Sequence, residues 1–113
     1  MNELSKKKCI PCSGDIPPFT EEEVKTFMSK IKNWQYKKND QGHFYLSKDF
    51  KFENFKISLD FINKVSQIAE DENHHPDIKF GWGYANIIIS THAINGLAES
   101  DFVLAAKIDE VSV

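Results

Sequence analysis

The apolar positions of this chain switch between two spacings, and each switch marks a new element. Val24, Phe27, Met28 and Ile31 recur at i, i+3, i+4 and i+7, which predicts a helix with one buried stripe running to about residue 32. Thr20 with Glu23 forms a capping box at its start, and Ile16-Pro17-Pro18-Phe19 ahead of it is held extended by the prolines. Trp34 to Lys37 predicts a short strand, and Lys38-Asn39-Asp40-Gln41-Gly42 a turn. Phe44, Leu46, Phe50 and Phe52 then alternate with mostly polar neighbours, as a half-buried strand should. From about Asn54 the spacing becomes helical again through Phe61, Ile62, Val65, Ile68 and Ala69. That helix runs into Glu70-Asp71-Glu72, three acids at the end where the macrodipole disfavours negative charge. After Pro76, Ile78 to Trp82, a turn centred on Gly83 and the near-continuous apolar run Asn86 to Ser90 read as a second hairpin. Leu97 to Val111 closes the chain as a helix, with Leu104, Ile108 and Val111 on one stripe and Phe102, Ala105 and Ala106 beside it.

The predicted order is therefore α-β-β-α-β-β-α, an α+β fold. Tight turns join antiparallel strands, so two hairpins linked by a helix favour a four-stranded antiparallel sheet with the helices on one face. An exposed sheet face or edge in so small a domain is commonly closed by pairing with a copy, and a homodimer or homotetramer is expected. The 113 residues suit one domain, here residues 16–113, preceded by a polar tail over residues 1–15.

Composition narrows the partners. A net charge of −3 gives no basic surface for nucleic acid, and every one of the 14 basic residues is Lys, so no guanidinium is present to grip a phosphate in two-pronged fashion. No apolar run approaches the roughly 20 residues of a membrane span, and Lys6, Lys7 and Lys8 are followed by no apolar stretch of the kind a secretory signal carries. The cytoplasm is the expected compartment. Cys9 and Cys12 make one Cys-x-x-Cys in the tail, without the second ligand pair of a structural zinc site and without the preceding strand of a redox motif.

The candidate chemistry lies in the histidines. His74 and His75 occupy the connection between the second helix and the third strand, stiffened by Pro76, and adjacent side chains diverge, so both rings cannot enter one core. His92 follows Ser90-Thr91 at the end of the fourth strand, and Asp101 falls in the first turn of the last helix. Imidazole titrates near neutrality, so two rings can divide an acid and a base role, with Glu70 or Asp101 fixing a tautomer by hydrogen bond. Taken alone, His-His-Pro on a loop also reads as surface decoration. A metal site from His74, His75, Asp77 and His92 lacks the i, i+2 or i, i+4 spacing that aims two rings at one ion. Cysteine nucleophilic catalysis is disfavoured because both cysteines lie far along the chain from the histidines.

Glu70-x-x-x-His74-His75-Pro76, Trp82, Ser90-Thr91-His92, Gly96-Leu97 and Asp101 together resemble the signature of the pterin-4a-carbinolamine dehydratases. The likeness extends through Trp34, Phe50-Lys51-Phe52, the Phe55 to Ala69 helix and Leu104 to Asp109, nearly the whole chain after residue 15. The resemblance implies a hydro-lyase that removes water from 4a-hydroxytetrahydropterin, the carbinolamine left by an aromatic amino acid hydroxylase. It implies catalysis by His74, His75 and His92, without metal or cofactor, the pterin being the substrate. Glu70 and Asp101 would orient the rings, Pro76 and Thr91 would border the substrate, and Trp82 would stack on or wall the flat bicycle, or fill the hairpin core. The same fold is associated in this family with a non-catalytic binding role as a dimerisation cofactor or transcriptional coactivator. Ala98 departs from the Ser or Thr usual there, which predicts a loss of typically about 1 kcal/mol at the helix start unless Glu99 or Ser100 substitutes. Gly81 and Gly83 place two glycines in the second hairpin. The natural pterin side chain is not legible in these residues.

Overall fold

A computed structural model describes residues 4–8 and 16–112 of the chain. The Cys-x-x-Cys of the tail lies outside the described residues. The main elements are α1 (Glu21–Met28), β1 (Gln35–Lys38), β2 (Phe44–Lys51), α2 (Phe55–Glu72), β3 (Asp77–Gly81), β4 (Tyr84–Ile89) and α3 (Glu99–Asp109), with single 3-10 turns at Leu4–Lys6 and His92–Ile94. This is the α+β order expected, and the four strands form one antiparallel sheet in the order β1-β2-β4-β3.

The pairing puts the two central strands in the middle and sorts side chains by face. Leu46 pairs with Ile89, Phe50 with Ala85, and Ile78 with Ile87, so these point together toward the helices. There they meet Phe61, Ile62 and Val65 of α2 and Phe102 to Ala106 of α3 in one core. Burial of that apolar surface is the main favourable term in holding the layers together. The alternate positions, Ser47, Asp49, Asn86, Ile88, Asp77 and Lys79, share the helix-free face. No helix among the described residues is long and apolar enough to cross a membrane.

Helix starts follow local chemistry. Thr20 and Glu23 make the reciprocal capping box at α1, and the Asn54 side chain accepts from Ile57 N at α2. The first helix ends at Met28, short of residue 32. Lys30 N bonds Phe27 O and Ile31 N bonds Met28 O, three residues back, and Asn33 at φ 63° turns the chain into β1. Ile31 still reaches the core, 7% exposed, which is why its spacing mimics a further helical turn. The acids at the end of α2 are each partnered: Glu70 with His75, Asp71 with Gln67, and Glu72 with Lys107 at 3.7 Å. Asn73 caps that end in the left-handed conformation.

Candidate active site

The site is built where three elements end together. α2 finishes at Glu72 and releases His74 and His75; β4 finishes at Ile89 and releases Ser90, Thr91 and His92; α3 begins beside both. The segment after β4 is pinned by the Thr91–Gly96 bridge, and by Phe19 N donating to Leu97 O at 2.7 Å. Gly96 admits this approach because a side-chain carbon there would stand 2.7 Å from Pro18 Cβ.

Asp101 is the centre of the arrangement, with its side chain fully buried. Its Oδ1 lies 2.8 Å from His74 Nε2, and its Oδ2 accepts from Thr91 Oγ1 and from the Ala98 backbone N–H, each at 2.8 Å. A buried carboxylate must find donors, and three converge here. An ionised carboxylate only accepts, so His74 carries its ring proton on Nε2 and presents Nδ1 as the remaining acceptor. The Ala98 side chain makes no cap bond at the start of α3, and Asp101, three residues into the turn, accepts from the Ala98 N–H there.

His75 turns the other way, its Nε2 held by Glu70 at the surface, with side chains 56% and 71% exposed. His92 lines a cleft of about 290 Å³ at the helix-free side, together with Thr91, Ser90, Asp77 and Ile88. Thr91 is the seam, since its hydroxyl reaches Asp101 on one side while the residue borders the cleft on the other. The structure thus brings His74, Thr91 and Asp101 into one hydrogen-bonded chain, and Glu70 to His75; His92 follows Thr91 in the chain and lines the cleft instead of joining those bonds. His74, His75 and Pro76 are not among the residues that line the cleft. Trp82 stands apart. It occupies the turn after β3, at the far end of the strand from Pro76, and is 71% exposed, so it fills no hairpin core.

Sequence reasoning missed His43. It follows the β1–β2 turn and lines the same cleft as His92. The available signal was the alternation of β2, but the pairing of β2 with β4 was needed to use it. Among the described residues no three His, Cys, Asp or Glu side chains converge as a metal site requires.

A sheet with helices on one face, and histidines held by carboxylates at one end, defines a small domain of the α+β class. Residues 17–111 match the family described as pterin 4 alpha carbinolamine dehydratase. A relative from Rubrobacter xylanophilus is 48% identical over 98% of this chain and 100% of its own length. One from Rickettsia canadensis is 50% identical over 96% and 97%. Both bear the name pterin-4-alpha-carbinolamine dehydratase, given provisionally. A crystal structure from Brucella melitensis, described as a transcriptional coactivator/pterin dehydratase, superposes with a TM-score of 0.73 at 28% identity, covering 81% of this chain and 95% of that one. The chain belongs to the pterin-4a-carbinolamine dehydratase family, a family of hydro-lyases.

Proposed function

We propose that the chain dehydrates 4a-hydroxytetrahydrobiopterin to the quinonoid dihydropterin and water by histidine acid–base catalysis, in tetrahydrobiopterin recycling. The observation that carries this reading is the Asp101 carboxylate holding both His74 and Thr91, the residue that precedes His92. In the step, His74, having taken a proton on Nδ1 while Asp101 holds its Nε2–H, delivers the Nδ1 proton to the 4a hydroxyl, which leaves as water when the C4a–O bond breaks. His92 takes the proton from N5 as the C4a=N5 double bond forms. One proton is given and one taken, and no electrons change hands, so neither cofactor nor metal is required. His75, steadied by Glu70, holds the pterin ring and shares the base role, while Pro76 and Thr91 border the substrate. Positioned acid–base groups of this kind contribute roughly 10²–10⁴-fold.

The reaction serves an aromatic amino acid hydroxylase, whose used cofactor is the substrate, and its compartment is the cytoplasm. Copies of the chain associate: Phe55, Leu59, Trp82 and Tyr84, on the start of α2 and the β3–β4 hairpin, are 46%, 37%, 71% and 37% exposed, more large apolar surface than one small region of a lone domain usually leaves in water. In such an assembly Trp82 contacts a neighbouring copy, and its place as a wall for the pterin is reached only across that contact. The double description of the Brucella structure favours a second reading, a binding module without chemistry. Following the absorbance of freshly generated 4a-hydroxytetrahydropterin decides between them. Dehydration is accelerated by the wild type and reduced to background by His74→Ala and His92→Ala under the first reading. Equal rates for all three proteins and for buffer support the second.

A further inference from the structure

The rings of the four histidines divide into two kinds. His74 and His75 each have Nε2 engaged by a carboxylate. Those of His43 and His92 have no hydrogen-bond partner among the described residues, and both line the 290 Å³ cleft. Their common location follows from register. The last paired residues of β2 and β4 are Leu46 and Ile89, which point toward the helices. His43 precedes β2 and His92 follows β4, so both lie just beyond that last pair, at the same end of the sheet. Both line the cleft with Asp77 and Ile88 of the helix-free face, while Thr91 reaches inward to buried Asp101.

His43 is also held firmly. Asn39 Oδ1 accepts from Gln41 N at 2.9 Å and from His43 N at 3.0 Å, and Asn39 N donates to His43 O at 2.9 Å. Gly42, at φ 81°, completes the turn. The wall of the cleft facing His92 is therefore a braced turn that presents three polar side chains, those of Asn39, Gln41 and His43. Asx-braced turns of this kind fix backbone direction, so the backbone from which the ring at position 43 projects is set before any ligand arrives.

We propose that His43 is a specificity-determining residue that hydrogen-bonds the hydroxylated side chain at C6 of the pterin. The inference rests on the reading above, in which His92 works at N5, because C6 is bonded directly to N5 and its substituent must enter the space beside His92. A polar wall carrying an imidazole with open hydrogen-bonding positions selects a hydroxylated substituent over an alkyl one. A site that offers hydrogen bonds to hydroxyl groups loses affinity for analogues that lack them.

The test compares two carbinolamines, one with a 1,2-dihydroxypropyl group at C6 and one with a methyl group, on wild type, His43→Ala and His43→Gln. His43→Ala raises KM for the dihydroxypropyl substrate by about three- to tenfold, leaves kcat within twofold, and does not change either constant for the methyl substrate. His43→Gln, which keeps a donor and an acceptor, recovers most of the loss. Equal effects on the two substrates, a fall in kcat on both, or no effect on either overturns the proposal. Binding of the two stable 7,8-dihydropterins with the same substituents, followed by quenching of protein fluorescence, separates this from the reaction itself. Selective loss of dihydroxypropyl binding in His43→Ala upholds the contact even if the wild type turns nothing over. Absence of selectivity in the wild type overturns it even if dehydration is fast.

Discussion

Asp101 Oδ1 lies 2.8 Å from His74 Nε2, in a position where the carboxylate has no exposure to solvent and two further donors on its other oxygen. That pairing sets which nitrogen of His74 faces outward, and the variant Asp101→Asn tests it with almost no change in shape. An amide keeping its oxygen toward Thr91 and Ala98 turns its NH₂ toward His74, which forces Nε2 to accept and moves the ring proton to Nδ1. The expected result is a fall in kcat of about 10- to 100-fold, from the loss of a charged hydrogen bond, with KM little altered. Nitrogen chemical shifts of the ring report the tautomer directly. A rate within twofold of wild type, with the tautomer unchanged, removes Asp101 from the positioning role.

Thr91 gives the second prediction. Thr91→Val keeps the branched shape but deletes the hydroxyl that donates to Asp101 Oδ2 at 2.8 Å. Asp101 retains two of its three partners. Urea unfolding should show a loss of about 1 to 2 kcal/mol, the cost of leaving part of a buried carboxylate unsatisfied. The catalytic loss should be smaller than that of Asp101→Asn, since His74 keeps its bond. A stability equal to wild type would mean that the hydroxyl contributes nothing to holding the carboxylate.

How far the sequence could carry these conclusions depends on the separation of the partners. The helical stripe of α2 and the run Ile87-Ile88-Ile89 are local patterns, and both elements form where the spacing puts them, to within a few residues. The end of α1 was not legible, because Ile31 continues the apolar spacing while the backbone has already turned through three-residue bonds toward Asn33. Asp101 could be placed in the first turn of the last helix, but its joint hold on His74, 27 positions back, and Thr91, 10 back, is a tertiary fact. Its service to the Ala98 N–H, a local three-residue relation, was legible in principle from the acid at the third helical position. His43 went unnoticed because only the pairing of β2 with β4 brings the turn before β2 to the end of the sheet where His92 lies. Nothing within ten residues of it points to a site.

Trp82 carries the third prediction. An indole 71% exposed at a hairpin tip, near exposed Phe55, Leu59 and Tyr84, is expected to be covered by another copy. Light scattering should give the mass of a dimer or tetramer for the wild type. Trp82→Asp, which puts a charge into that contact, should shift the protein toward the mass of a single chain without unfolding it. If the wild type is itself monomeric at micromolar concentration, the association is wrong and Trp82 cannot reach a site through it.

The helix face of the sheet supplies the last prediction, one that concerns stability and not chemistry. Lys48 and Asp109 form an ion pair at 2.8 Å with side chains only 15% and 13% exposed. Trp34 Nε1 donates to the same Asp109 oxygen at 2.9 Å, and Lys48 also reaches the Lys32 carbonyl at 3.0 Å. The Lys48 ammonium lies 5.7 Å from the Trp34 ring centre and 5.0 Å from that of Phe50. This cluster ties the end of α3 to β2 and to the start of β1. Removing one charge strands the other in a poorly hydrated place, so Asp109→Ala should cost about 3 kcal/mol or more in urea unfolding. Lys48→Met fills similar space without a charge but leaves Asp109 without its cation, and it too should destabilise. The double variant should lose less than the sum of the two, with a coupling of about 1 to 3 kcal/mol, because neither partner is then left alone. Dehydration rates measured below the unfolding transition should stay near wild type in all three. Strict additivity of the two losses would mean that Lys48 and Asp109 act separately and that the close pair does not hold α3 to the sheet.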